Sequence, residues 1–236
     1  MVFGVSFAAI FKRKIGVRDF MRKKYVLFDL DGTITNPGVG ITKSVEYALN
    51  KFNIKEKDLK KLYKFIGPPL KESFIKYYNF NEEDAEKAII FYREYFSSKG
   101  IYENEVYENL EDILIYLKGS GSKIIVATSK PTFFAELILE YFNLKRYFDF
   151  ISGSNLDGTR VKKAEVIKYA IEQNKITELS DVVMIGDREH DIIGAKTVGI
   201  ESIGVLYGYG TLEELVNSEA DYIVKDIHEL ELLLNC

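Results

Sequence analysis

Two hydrophobic periods alternate along the chain, and the switches between them mark out its elements. Residues 25–30 (YVLFDL) form an apolar run rich in strand formers, broken by Asp31-Gly32, which predicts a buried strand feeding a turn. Residues 123–128 (KIIVAT), 150–151, 181–185 (DVVMI) and 202–206 (SIGVL) read the same way, and 222–224 suits an edge strand. Helical periods lie between them, at 132–142 after Pro131, 164–172, 192–198 and 212–217. Buried strands alternating with helices predict an α/β fold, a doubly wound parallel sheet whose ligand site lies beyond the C-terminal ends of the strands.

Residues 41–98 break the alternation because they carry helical periods alone. Ile41, Val45, Ala48, Leu49 and Phe52 share one face, and Ala85, Ala88, Ile89, Tyr92 and Phe96 share another. The expected organisation is a core of residues 21–38 and 101–236 with a small all-helical cap domain, residues 39–100, inserted after the first strand. Gly38, Gly40 and Gly100 flank the insert as hinge positions, so it can open over the strand ends.

The first twenty residues stand apart. The apolar stretch 2–11 precedes Lys12, Arg13 and Lys14, the reverse of a secretory signal, and is too short to span a bilayer. With Met21 just ahead of the first strand, residues 1–20 are expected to be an appendage, a membrane-surface helix being the alternative.

Charge and cysteine usage narrow the partners. A net charge of -4 argues against a nucleic-acid surface, which needs a clustered excess of Lys and Arg. The single cysteine, Cys236, allows no intrachain disulfide and suits a reducing cytoplasm. The partner expected is a small molecule, with no nucleic acid and no membrane, for a monomer or homodimer.

Candidate chemistry sits at the strand ends. In Asp29-Leu30-Asp31-Gly32-Thr33 two carboxylates lie two residues apart, which in an extended chain turns both toward the same side. A second pair, Asp187 and Asp191, lies in GDREHD directly after the apolar run 181–185. Two acidic pairs at the ends of two buried strands make an oxygen-rich cage suited to Mg²⁺. Asp191 can also cap the helix that begins at Ile192. Between the pairs come a hydroxyl donor, Thr128, at a strand end, and a cation, Lys162 or Lys163, where a helix opens.

These four strings, DLDGT at 29–33, Thr128 in VATSKP, the lysine in RVKKAEVI and GDREHD at 186–191, occur in the order in which the haloacid dehalogenase-like superfamily of aspartate-nucleophile phosphatases carries its motifs, and the chain resembles that superfamily from residue 25 to its C-terminus. The helical insert resembles that of the phosphoglycolate phosphatase-like branch. FIGPPL at 65–70 and GSNLDGTR at 153–160 resemble a subgroup of phosphoglycolate phosphatases and 5'-nucleotidases.

The resemblance implies a Mg²⁺-dependent phosphomonoester hydrolase in which Asp29 is the nucleophile and Asp31 the general acid and base. Thr128 and Lys163 assist, and the metal is held by Asp29, Asp187, Asp191 and the backbone carbonyl of Asp31. The match to Lys-Ala-Glu-Val-Ile favours Lys163 over Lys162. Substrate contacts are expected from Gly32, Thr33, Ser129, Lys130, Arg93 and Arg160. A phosphomutase or a non-enzymatic regulatory module on the same fold are the alternatives. Asp31 counts against dehalogenases and transport ATPases of the superfamily, which lack an acid at that place.

Overall fold

The computed structural model describes residues 22–235, so the expected appendage at 1–20 and Cys236 lie outside the described residues. From the N-terminus, β1 (Tyr25–Phe28) leads through β2 (Thr35–Asn36) into α1 (Gly38–Lys51), a 3-10 turn (Leu59–Phe65), α2 (Leu70–Tyr78) and α3 (Glu82–Tyr95). A π-helical turn (Phe96–Gly100) and β3 (Glu105–Val106) lead back, followed by α4 (Leu110–Gly119), β4 (Lys123–Pro131), α5 (Thr132–Tyr141) and β5 (Phe150–Ser154). The last third runs α6 (Lys163–Gln173), β6 (Val182–Gly186), α7 (Glu189–Val198), β7 (Glu201–Val205), α8 (Leu212–Asn217), β8 (Tyr222–Val224) and α9 (Ile227–Leu234).

Six strands form one parallel sheet in the order β5-β4-β1-β6-β7-β8. Its apolar runs are continuous because both faces are covered. Val26, Phe28, Ile124, Val126, Val183 and Ile185 pack on one side with residues of α4, α5 and α9, while Leu27, Ile125, Ala127, Val182 and Met184 pack on the other with residues of α6. The chain leaves β1 toward β4 and β5 and returns on the other side as β6, β7 and β8, so the order reverses around β1. In open α/β sheets that reversal is where a ligand crevice forms.

Residues 38–100 carry only helical elements. Asn81 starts α3 by accepting the Asp84 N–H at 2.8 Å, with Glu82, Glu83 and Asp84 in the first turn suiting the positive end of the helix. Asn79, at φ 54°, closes α2. Two features of the junction escape any sequence period. β2 and β3 pair antiparallel, Thr35 against Val106 and Asn36 against Glu105. The two connections then touch at glycine: a Cβ on Gly40 would lie 1.9 Å from the Gly100 carbonyl oxygen, and the Gly40 N–H donates to Glu103 O at 3.0 Å.

Element edges differ modestly from the expectations. The first strand stops at Phe28, and β4 runs on to Pro131 through a register shift between Ala127 and Pro131. Helices α4 and α9 were not foreseen.

Candidate active site

The turn after β1 brings its two aspartates to different neighbours. The Asp29 N–H donates to Ile185 O at 2.9 Å, fixing Asp29 beside the end of β6. Leu30 O then accepts from Ile34 and Thr35, both at 2.9 Å, folding the chain back on itself. Gly32 sits in this turn at φ 87°, and a Cβ there would lie 2.2 Å from Asp187 Oδ2. Only glycine tolerates both the backbone angle and the contact.

Asp29, Asp187 and Asp191 are all buried, and each offers an oxygen within 4.8 Å of the others. Lys163 reaches them from the start of α6: Nζ lies 2.8 Å from Asp29 Oδ1 and 2.7 Å from Asp191 Oδ1, and donates to Ala127 O at 3.1 Å. Lys162 is exposed, so the lysine among these carboxylates is Lys163. Asp187 Oδ2 accepts the Tyr209 N–H at 2.8 Å, and Asp191 Oδ2 accepts the Arg188 N–H at 3.1 Å. Asp191 thus serves the start of α7 as well as the carboxylate group. The Asp31 side chain is paired with Lys130 Nζ at 2.7 Å and lies near enough to Asp29 and Lys163 to feel their charges.

Asp29 and Asp191 share one ammonium in the protein interior with Asp187 beside them, and proton affinities in the group respond. Burial first, then the charges of Asp191 and Asp29, push Asp187 well above the usual carboxylate range. Burial raises Asp191 to about 6 although Lys163 opposes it. Burial also raises Asp31, with Lys130 pulling it back. For Lys163 desolvation acts downward, but the Asp191 and Asp29 charges outweigh it and the ammonium is held above its ordinary value. Asp187 Oδ1, Asp31 Oδ1 and Thr33 Oγ1 are buried without a hydrogen-bond partner. An all-oxygen group with surplus negative charge and an unpartnered carboxylate oxygen fits a hard divalent cation.

A cavity of about 470 Å³ opens from Asp31 toward the helical insert. Its walls are mostly apolar, with Ile41, Phe65, Tyr92, Phe96 and Phe134 among them, and Ser129, Lys130 and Arg93 also reach it. Arg93 Nη2 donates to Leu156 O at 3.2 Å across the mouth, and Lys130 Nζ lies 4.5 Å from the Phe96 ring centre. Thr128 is buried at the end of the straight part of β4, its Oγ1 accepting the Lys130 N–H at 3.2 Å. Arg160 is not among the residues lining the cavity. Its guanidinium donates to Gly153 O and Asn155 Oδ1 at 2.9 and 3.0 Å and stacks on Tyr169, which braces the 153–160 loop.

The sequence reading passed over Arg188, Tyr207 and Tyr209. The Tyr207 hydroxyl donates to Thr33 O at 3.1 Å, and the Tyr209 N–H holds Asp187. A signal was present in Tyr207-Gly208-Tyr209-Gly210, since alternating glycines mark close backbone approach. A Cβ on Gly208 would lie 2.3 Å from Gly32 O, and one on Gly210 would lie 1.8 Å from Asp187 O.

Comparison with known proteins agrees with this geometry. The family model for haloacid dehalogenase-like hydrolases matches residues 26–205. The 5'-nucleotidase of Pseudomonas aeruginosa is 42% identical over 214 residues, covering 91% of this chain and 96% of that protein. The tyrosine-protein kinase PtkA of Mycobacterium tuberculosis is 37% identical over 188 residues, 78% of this chain and 62% of that one. The crystal structure of a predicted phosphatase from Clostridium acetobutylicum superimposes with a TM-score of 0.88 at 55% identity, covering 89% of this chain and 97% of that one. No helix among the described residues is long and apolar enough to cross a membrane. Matched across most of its length by the family model and by phosphatase-named relatives, the chain belongs to the haloacid dehalogenase-like hydrolases and is a phosphatase of that family.

Proposed function

We propose that the protein is a Mg²⁺-dependent phosphomonoester hydrolase that passes the phosphoryl group of a small metabolite through the carboxylate of Asp29 to water. The observation that carries this reading is the separation of the two aspartates: Asp29 lies 2.8 Å from Lys163, whereas Asp31 lies 2.7 Å from Lys130 at the cavity. Two carboxylates in different environments can take different roles.

In this scheme an Asp29 oxygen attacks phosphorus in line, and the P–O bond to the leaving group breaks. Asp31, whose carboxyl burial favours in the protonated form, gives its proton to the departing oxygen. It then takes a proton from the water that attacks phosphorus, releasing phosphate and restoring Asp29. Lys163 neutralises charge on Asp29, and the Thr128 hydroxyl and the Asp31–Thr33 backbone, with Gly32 at its centre, position the phosphoryl oxygens. A divalent cation held by Asp29, Asp187, Asp191 and the Asp31 carbonyl would offset repulsion between the nucleophile and the phosphate dianion. Residues 39–100 act as a cap on the core formed by 21–38 and 101–236, placing Arg93 over the leaving group, with Ser129 and Lys130 beneath it.

Among candidate substrates the cavity favours a nucleoside 5'-monophosphate over phosphoglycolate. Phosphoglycolate, with two carbons, would leave most of the apolar wall of Ile41, Phe65, Tyr92, Phe96 and Phe134 uncovered, whereas a base and ribose can fill a cavity of about 470 Å³. The experiment is a panel of p-nitrophenyl phosphate, nucleoside 5'-monophosphates and phosphoglycolate assayed with Mg²⁺, beside Asp29→Asn. Phosphate release from nucleotides at a higher kcat/KM than from phosphoglycolate, absent in Asp29→Asn, is expected. Undiminished release in Asp29→Asn, or phosphate retained on the protein's tyrosines instead of reaching solution, would overturn the scheme.

A further inference from the structure

Arg188 follows Asp187 directly, and its backbone N–H holds Asp191, so its main chain lies between two carboxylates of the acidic group. Its side chain runs the other way, to the helical insert. Nε donates to Glu214 Oε1 at 2.8 Å on α8, and Nη1 donates to Ile66 O, with the side chain only 12% exposed. Glu214 Oε1 also accepts the Glu189 N–H at 2.8 Å, fixing the anion that orients the guanidinium. From the insert, Gly67 presses onto the arginine stem: it sits at φ 101°, and a Cβ there would lie 2.9 Å from Arg188 Cγ. Glycine is needed at that turn for the contact to form.

Asp187 has a parallel tie. Tyr209, whose N–H binds Asp187 Oδ2, sets its ring edge-to-face with Tyr63 of the insert at 5.3 Å, and its hydroxyl meets Asn36 Oδ1 on β2. The 59–67 stretch of the insert therefore rests on the two residues that fix Asp187 and Asp191.

From this geometry we infer that Arg188 is a positioning residue that couples the seating of the helical insert to the affinity of the Asp29-Asp187-Asp191 group for its divalent cation. The inference builds on the proposed metal role of those carboxylates. Coupling of this kind is reciprocal: what tightens one side tightens the other by the same factor. Cation binding should seat the 59–67 stretch, and loosening that stretch should weaken cation binding although no ligand has changed.

The test uses the full chain, Mg²⁺ alone without substrate, calorimetry for the dissociation constant, and amide exchange over residues 59–69. In the wild type, Mg²⁺ should slow exchange there. Arg188→Ala should lose that protection and bind Mg²⁺ about tenfold more weakly, within the ordinary range of coupling between sites. Arg188→Lys should recover part of both. Should Arg188→Ala fail to fold, Gly67→Ala decides, because it disturbs the contact from the insert and leaves every carboxylate in place. It too should weaken Mg²⁺ binding about tenfold. Unchanged Mg²⁺ affinity in Gly67→Ala, or in a folded Arg188→Ala, overturns the inference. A wild type that binds no Mg²⁺ overturns the coupling together with the metal reading; bound Mg²⁺ with unchanged exchange at 59–69 overturns the coupling alone.

Discussion

At the scale of single residues, the two acids of the first motif should answer differently to the same change. Asp29→Asn should bring turnover to background, because nucleophile and cation ligand go together. Asp31→Asn keeps Asp29 and its Lys163 partner but loses proton transfer, worth about 10² to 10⁴ in rate. Phosphorylation of Asp29 by p-nitrophenyl phosphate should fall less than by an alkyl phosphate, since nitrophenolate leaves without a proton; rapid-quench measurement of phosphoenzyme checks this, and equal losses would refute the division of roles. Thr33→Val is a different probe. The buried hydroxyl has no hydrogen-bond partner, so an isosteric apolar group should leave the melting temperature unchanged or raised, and a large drop in calorimetry would reveal a missed partner. Asp29, Asp31 and Asp187 were candidates from the sequence because each follows a strongly apolar run, whereas periodicity left Lys162 and Lys163 open and only the resemblance favoured Lys163. Arg188 and Tyr209 were not candidates: one reaches with its guanidinium to a carbonyl 122 positions away, a pairing no local period marks, and the other acts through its main-chain N–H, which leaves no mark on side-chain type.

At the scale of elements, strands buried on both faces were readable as apolar runs and their alternation with helices as a doubly wound parallel sheet, whereas the strand order and its reversal around β1 come from the structure. Helix α4 has Leu110, Ile113, Leu114 and Leu117 on one face and Glu111 and Asp112 in its first turn, signals the sequence reading passed over; Asn109 before it is left-handed at φ 64° and makes no side-chain bond to the helix. The β2–β3 pair, two residues a side, is shorter than any period. Helix α9 offers a test of capping. Asp226 accepts the Glu229 N–H at 2.9 Å, and that backbone bond holds its carboxyl below the ordinary value. A group depressed in the folded state stabilises above its unfolded value, and that contribution is lost as pH falls through the folded one. Amide exchange in α9 should therefore quicken on acidification in the wild type more than in Asp226→Asn, which keeps an acceptor without the titration. Equal acid sensitivity in both would remove Asp226 from the account.

At the scale of the whole molecule, the acidic group joins sheet, loops and insert, so its charge balance bears on global stability. Mg²⁺ at about a hundred times its dissociation constant should add about 2.7 kcal/mol to the folded state. For a chain of this size that raises Tm by about 5–10 °C. Scanning calorimetry with EDTA and with Mg²⁺ measures it, and coincident transitions would argue against a cation at Asp29, Asp187 and Asp191. The crossing of Gly40 and Gly100 has a mechanical corollary. With backbone touching backbone there, the two connections have a common fulcrum, and motion about it is magnified by leverage. Helix α3, at 14 residues, is about 21 Å long, so a tilt of about 10° carries its far end through about 4 Å. Arg93, seven residues from Gly100 and so about 10 Å along the helix from the fulcrum, moves about 2 Å in such a tilt, enough to open its 3.2 Å contact with the Leu156 carbonyl. A rotation that barely disturbs the torsions at the fulcrum is therefore enough to break the contact across the cavity mouth, and a side chain added at either glycine would prise the fulcrum apart at the end where leverage is greatest.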